Sequence, residues 1–189
     1  MLDIIPFLTD NRVLFRILHL LALALGMGAA LLADVFLIKF IKDAKITEKE
    51  ADILRTFSKA VWFGLAMFFI SGVALTLPRL DTLISSAKFQ VKIIAILVII
   101  INGALLNTIV GPKLVEIFAR ETSKKFQTAR KLAFGLGAVS VTSWFTAFLL
   151  GALRTLQINF GPLLALYVGI LTLNILISQI VESQLFKKP

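Results

Sequence analysis

Few side chains in this sequence can do chemistry, and most of them interrupt long apolar runs. They are His19, Asp34, Lys92, Asn102, Asn107, Asn174 and Gln179, with Arg16, Arg79 and Arg154 near the ends of those runs. A charge at the centre of a bilayer costs about 2.5–3.5 kcal/mol or more, so such residues usually face the protein interior and mark function. His19 is the only histidine and cysteine is absent, which excludes a disulfide framework, a thiolate metal site, c-type haem attachment and thiol chemistry. One histidine with no carboxylate at its depth falls short of the three or four ligands that zinc or copper takes. A haem asks less: one axial imidazole, space between helices for the porphyrin, and arginines for its propionates. His19 is therefore the candidate metal ligand, with haem b as the cofactor. The plainer alternatives are a hydrogen-bonded structural histidine and, for Lys92, a lysine snorkelling to the headgroups from one turn inside a helix.

The elements that must position these residues follow from composition. Of 189 residues, 58% are apolar and 16% charged, and the mean hydropathy is +0.93, which excludes an ordinary soluble globule. Crossing about 30 Å of hydrocarbon takes roughly 20 apolar residues. Five stretches qualify: Val13–Ile38, Ala60–Leu77, Phe89–Val110, Leu132–Leu153 and Pro162–Val181. Pro78 closes the second, Gly111-Pro112 closes the third and Gly161-Pro162 opens the fifth. Thr47 followed by Glu50 predicts a capping-box start for a short helix running into the second span. A second amphipathic basic segment covers Lys113–Lys131. The first run is too long for a signal-peptide core and lacks a small-residue cleavage site, so it reads as a retained helix preceded by polar Met1–Asp10. The expectation is an all-α polytopic bundle, a single domain over residues 1–189.

The net charge of +9 resolves into topology. With five spans, one face receives Lys39, Lys42, Lys45, Lys49, Arg55, Lys59, Lys113, Arg120, Lys124, Lys125, Arg130, Lys131, Lys187 and Lys188. The other receives Arg12, Arg16, Arg79, Lys88, Lys92 and Arg154. The richer face is expected to be cytoplasmic, which puts the N-terminus outside and the C-terminus inside a bacterial-type inner membrane, with the bilayer rather than nucleic acid as partner.

Counting 1.5 Å per residue from the outer face puts His19 about 9 Å and Lys92 about 5 Å inside. Arg16, Arg79 and Arg154 lie at or just above that level, where they could pair with the carboxylates of an amphipathic ligand. Asp34 and Asn107 share a deeper level, about 32 and 27 Å along their helices. They suggest an ion or proton path, or in the plainer reading a helix-end carboxylate paired with Lys39. Small residues four apart predict helix contacts at Ala22/Gly26/Ala30, Ala60/Gly64, Ala133/Gly137 and Ala147/Gly151. The glycine-dense Gly26-Met27-Gly28 also leaves room for a ligand lying flat on span one. Trp62, Trp144, Phe63, Phe68 and Phe69 read as packing or lipid-facing residues.

Two of these segments carry a family resemblance. Arg16-Ile-Leu-His19-Leu-Leu-Ala-Leu-Ala-Leu-Gly-Met-Gly and Lys88-Phe-Gln-Val-Lys92-Ile-Ile-Ala-Ile-Leu-Val-Ile resemble the Leu-His and Lys-aliphatic elements of the HemJ/CopD-like group. Gly72-Val-Ala-Leu-Thr-Leu resembles its Thr-Gly-Leu-type helix ending. The likeness spans roughly residues 12–120. It implies a HemJ-type protoporphyrinogen oxidase arrangement in which His19 is an axial haem ligand and Lys92 the functional, catalytic lysine. Asn102-Gly-Ala-Leu-Leu-Asn107 stands where that family often has a Tyr-His pair, and a fifth span is added. The expected function is thus an integral membrane b-type haem protein with a redox or porphyrin-related role. Its partners would be a porphyrin or an electron-transfer protein, and a homodimer could supply a second His19. The competing readings are a small transporter or channel using Asp34 and Asn107, and a non-catalytic membrane scaffold.

Overall fold

The computed structural model describes residues 4–41, 46–117, 124–153 and 157–186, the side chains of 124–126 excepted. Among the described residues the structure is all helix, without strands. The elements are α1 (Ile4–Asp10), α2 (Arg12–Phe40), α3 (Glu48–Thr76), α4 (Leu80–Leu83), α5 (Ala87–Leu105), α6 (Leu114–Ile117), α7 (Lys124–Ala152) and α8 (Phe160–Leu185). Five helical stretches are long and apolar enough to cross a membrane: Arg12–Phe40, Glu48–Leu83, Ala87–Ile117, Gln127–Ala152 and Phe160–Leu185. The chain is a multi-pass membrane bundle. Its outward faces carry side chains such as Leu20, Val35, Phe63 and Ile70, a surface suited to hydrocarbon.

Local chemistry sets the boundaries. At Thr47 both halves of the capping box form: Glu50 N–H donates to Thr47 Oγ1, and Thr47 N–H donates to the Glu50 carboxylate at 2.8 Å. The helix it opens does not stop before the second span but continues through it as one 29-residue element. Pro78 ends the α-helical pattern in a single 3₁₀ turn, Leu77–Arg79. Gly111 and Pro112 do the same after α5, where Leu106–Val110 first widens into a π-turn. Residues 4–10, expected as a polar lead-in, instead form α1. Ile4, Ile5, Phe7 and Leu8 give this segment an apolar side too short to register as a span, and Leu8 is buried.

The bundle centres on the antiparallel pair α2 and α3. A methyl group on Gly64 would lie 2.6 Å from Gly26 N and 2.7 Å from Gly26 Cα, so the two backbones touch. Gly26 in turn meets the rim of Trp144, which is fully buried. The flat ligand surface expected at Gly26-Met27-Gly28 is therefore already filled at Gly26, by Gly64 and Trp144. Ala22, Ala30, Ala133 and Ala147, from the small-residue sets, are also buried. α7 packs on both α5 and α8. Its polar side is satisfied by α8: Ser143 Oγ and Tyr167 OH are 2.8 Å apart, and Asn174 Nδ2 donates to Thr142 Oγ1 at 2.8 Å. Asn174 and Gln179, among the polar residues that interrupt the apolar runs, are thereby engaged in helix pairing, Gln179 donating to Lys131 O. Arg130 and Glu182 form a buried ion pair at 3.3 Å, and the guanidinium also lies over the Phe186 ring.

Two stability predictions follow from these contacts. Gly64→Ala must push two backbones apart and should cost about 1–3 kcal/mol, read as a lowered midpoint of thermal unfolding in detergent. Glu182→Ala leaves the Arg130 charge buried and unpaired and should cost about 3–5 kcal/mol. Replacing both partners by apolar residues of similar volume should recover most of that loss.

Candidate functional site

The α2–α3 register carries His19 to α3. His19 stands seven residues before Gly26 and Ser71 seven after Gly64, so in an antiparallel pair crossing at the glycines the two residues meet. His19 Nδ1 lies 3.1 Å from the Phe68 carbonyl oxygen and 3.0 Å from Ser71 Oγ. The Ser71 hydroxyl donates its own hydrogen to the Met67 carbonyl at 2.7 Å. Both neighbours of Nδ1 are thus acceptors, which places the ring proton on Nδ1 and leaves the lone pair on Nε2. The imidazole also stacks on Phe68, with ring centroids 4.0 Å apart and 20° between planes. Gly72 makes room for it, since a methyl there would come within 3.3 Å of His19 Cε1. Among the described residues Nε2 has no hydrogen-bond partner.

His19 lines a cavity of about 760 Å³ whose walls come from α3, α4, α5 and the end of α7. This lies within the roughly 300–1,000 Å³ of ligand and cofactor sites. Apolar side chains such as Leu77, Leu83, Phe89, Ile96 and Leu150 make most of the wall, and the cations are Lys88 and Lys92. Lys92 Nζ sits 5.4 Å from the centre of the Phe68 ring, on which His19 also stacks. Gly151 keeps space beside that ammonium, a methyl on it falling 3.6 Å from Nζ. Lys88 is committed elsewhere, its Nζ donating to the Leu153 carbonyl at the end of α7. The structure thus brings together His19 and Lys92 and adds Phe68, Ser71, Gly72 and Gly151 around them.

The arginines are arranged differently from the sequence expectation. Arg16 and Arg79 are exposed, lie outside the lining of the cavity, and each stands near enough to Arg12 to repel it. Arg154 lies outside the described residues. Residue counts give depth along a helix but not azimuth, which is why residues at one level need not share one wall. Phe68 and Ser71 were missed as functional candidates because their role depends on the helix register. A signal was present in the small-residue pairs Ala22/Gly26 and Ala60/Gly64, which fix that register once they are opposed.

The second matched level also converges. Asp34 and Asn107 line a smaller cavity of about 150 Å³ with Arg55, Ser58, Ser140 and Trp144. Asp34 is not paired with Lys39: it forms no ion pair among the described residues, and its Oδ2 is buried without a hydrogen-bond partner. The residues between Asp34 and Lys39 complete more than one helical turn, and Lys39 itself is exposed. No group of three or more His, Asp or Glu side chains suited to a metal occurs among the described residues.

Because His19 is the chain's one histidine, ¹⁵N-histidine labelling isolates it. The spectrum should show a single imidazole with Nδ1 protonated and Nε2 unprotonated, and Ser71→Ala should leave that tautomer in place through the Phe68 carbonyl. An Nε2-protonated ring would contradict the geometry. Comparison with known proteins finds no matching family model, no matching curated protein and no matching solved structure.

Proposed function

We propose that this chain is a multi-pass protein of a bacterial-type inner membrane, N-terminus outside, that holds haem b in the His19 cavity and serves a redox or porphyrin-related function. The observation that supports it most is the anchoring of His19 Nδ1 on a backbone carbonyl. A ligating imidazole usually donates its other N–H in this way, which fixes both tautomer and ring orientation and raises the basicity of the ligating nitrogen. A histidine serving only to join two helices gains nothing from keeping its second nitrogen unpaired beside a large apolar cavity.

The residues present suit such a group. His19 Nε2 would be the axial ligand, with Phe68 and Ser71 holding the ring in place. Lys92 supplies an amine with no hydrogen-bond partner among the described residues, set in a mostly apolar wall and suited to a carboxylate of the ligand or to a proton-transfer role next to it. Leucine, isoleucine and phenylalanine side chains make the walls mostly apolar. Haem, when bound, supplies one-electron chemistry at its iron. Resemblance to the HemJ-type oxidases supports the same pair, His19 and Lys92, and extends the proposal to a porphyrin substrate or an electron-transfer partner. If haem takes a second ligand, Lys92, water or His19 of a second copy would supply it.

The visible spectrum of the purified protein tests the proposal. After haem supplementation a Soret band should be present, and His19→Ala should abolish it. Lys92→Ala should keep the band while changing its position or weakening binding. A haem-to-protein ratio of one half would mark sharing between two copies. No band in the native protein, or an unchanged band in His19→Ala, overturns the proposal. Ion flux into liposomes that survives His19→Ala but is lost in Asp34→Asn would favour the transport reading instead. A scaffold predicts that both substitutions change stability alone.

A further inference from the structure

Three buried side-chain atoms among the described residues lack any hydrogen-bond partner: Asp34 Oδ2, Asn102 Oδ1 and Trp144 Nε1. Two of the three residues, Asp34 and Trp144, line the 150 Å³ cavity. Trp144 is 1% exposed, and its indole N–H can only donate. Asp34, when ionised, can only accept. Burying either kind of group unpaired is costly, and the cavity that both residues line is the space beside them that a partner can occupy. A bare metal cation would satisfy Asp34 and repel the indole N–H. An anion would satisfy the N–H and be repelled by Asp34. Water does both, and the space holds several molecules, since one needs only about 10–15 Å³ of such volume.

The surroundings fit water as well. Ser58 and Ser140 reach the cavity from α3 and α7, and Asn107 reaches it from the π-turn, a helix irregularity found frequently at functional sites. The charged groups on its walls are Asp34 from α2 and Arg55 from α3; α5, the π-turn, α6 and α7 contribute none. Arg55 is 41% exposed at its side chain and lies 3.7 Å from Glu48 near the start of α3, so it marks the solvent end of the cavity.

We propose that this cavity is a hydrated proton-exchange site in which Asp34 takes up and releases a proton through water bridged to Trp144 Nε1 and communicating with solvent past Arg55. The proton moves between the carboxyl oxygen and water, with no other bond made or broken. Trp144 also meets Phe68 edge-on, ring centroids 6.4 Å apart, so one aromatic wall separates this site from the His19 cavity. The proposal does not require haem at His19.

Infrared difference spectroscopy of the full-length protein in lipid nanodiscs, between acidic and alkaline buffer, tests it. The native protein should show a protonated-carboxyl C=O band that titrates, shifts down in D₂O on mixing, and is lost in Asp34→Asn. Ser140→Leu, which fills part of the cavity and leaves the Asp34 side chain in the protein, should keep the band but slow its D₂O shift at least tenfold. Trp144→Phe, which removes the N–H and retains an aromatic ring, should move the band. A pH-difference spectrum unchanged in Asp34→Asn overturns the proposal. So does a native band that fails to exchange with D₂O, or one that keeps both position and exchange rate in Ser140→Leu and Trp144→Phe. A missing Soret band would leave these outcomes unaffected, so the two proposals fail independently.

Discussion

The contact on which the molecule depends is the meeting of two backbones at Gly26 and Gly64. Inside a membrane, apolar side chains gain little by leaving lipid for protein, so helices associate through close packing and interhelical hydrogen bonds. Glycine opposite glycine lets α2 and α3 approach until main chain touches main chain. That closeness has a directional consequence. Side chains to either side of the crossing are brought into short contact, and the first large groups met along one direction are Phe68 and His19. A wider spacing would leave Nδ1 short of the Phe68 carbonyl and the imidazole unstacked. The same contact seats Trp144 against Gly26, which ties α7 to the pair and, through the edge contact of Trp144 with Phe68, sets one aromatic pair between the His19 side and the Asp34 side.

Polar groups in this bundle fall into two kinds. Some are consumed by assembly: the Ser143–Tyr167 and Asn174–Thr142 bonds, the Arg130–Glu182 pair, and Lys88 on the end of α7. These hold α7 against α8 and α5 and leave nothing over for chemistry. Among the described residues others are positioned but unspent: His19 Nε2 and Lys92 Nζ in one set, Asp34 Oδ2 and Trp144 Nε1 in a second, and Asn102 Oδ1 apart from both. An unsatisfied group in a low-dielectric interior is expensive, and it persists where something outside the protein completes it. That both unspent sets border cavities, one large and mostly apolar and one small with hydroxyl and amide lining, is the physical basis for assigning them different occupants.

Much of the architecture was legible in the sequence because lipid imposes a simple rule. Each apolar run near 20 residues had to be a helix, and all five are. The Thr47 and Glu50 cap formed as their spacing dictated, and the levels of His19 with Lys92 and of Asp34 with Asn107 followed from rise per residue alone. What residue counting lacked was rotation. It could not assign Arg16 and Arg79 to a wall, and it gave no reason to prefer the buried Phe68 over the more exposed Phe63 and Phe69. Helix α1 was lost for a different reason: seven residues are too few for a span. The pairing of Arg130 with Glu182 was hidden because both sit in segments that read as ordinary charged ends.

The π-turn at Leu106–Val110 changes the phase of everything beyond it. Before it, the buried positions of α5 are Val91, Ala95, Ile99 and Asn102, a stripe at ordinary helical spacing that would continue through Ile109. Instead Ile109 is exposed and Val110 is buried, followed by Leu114 and Ile117. One extra residue in the turn has rotated the distal helix by about 100°, the angle of one residue in an α-helix. The bulge therefore acts as an inserted frame: the half-helix before it is keyed to α7 and α8, and the part after it is keyed to the cluster of Ile41, Ile46, Ala51 and Leu54. Deleting Thr108 alone would keep every hydrophobic residue of the sequence and still point Val110, Leu114 and Ile117 at the wrong neighbours.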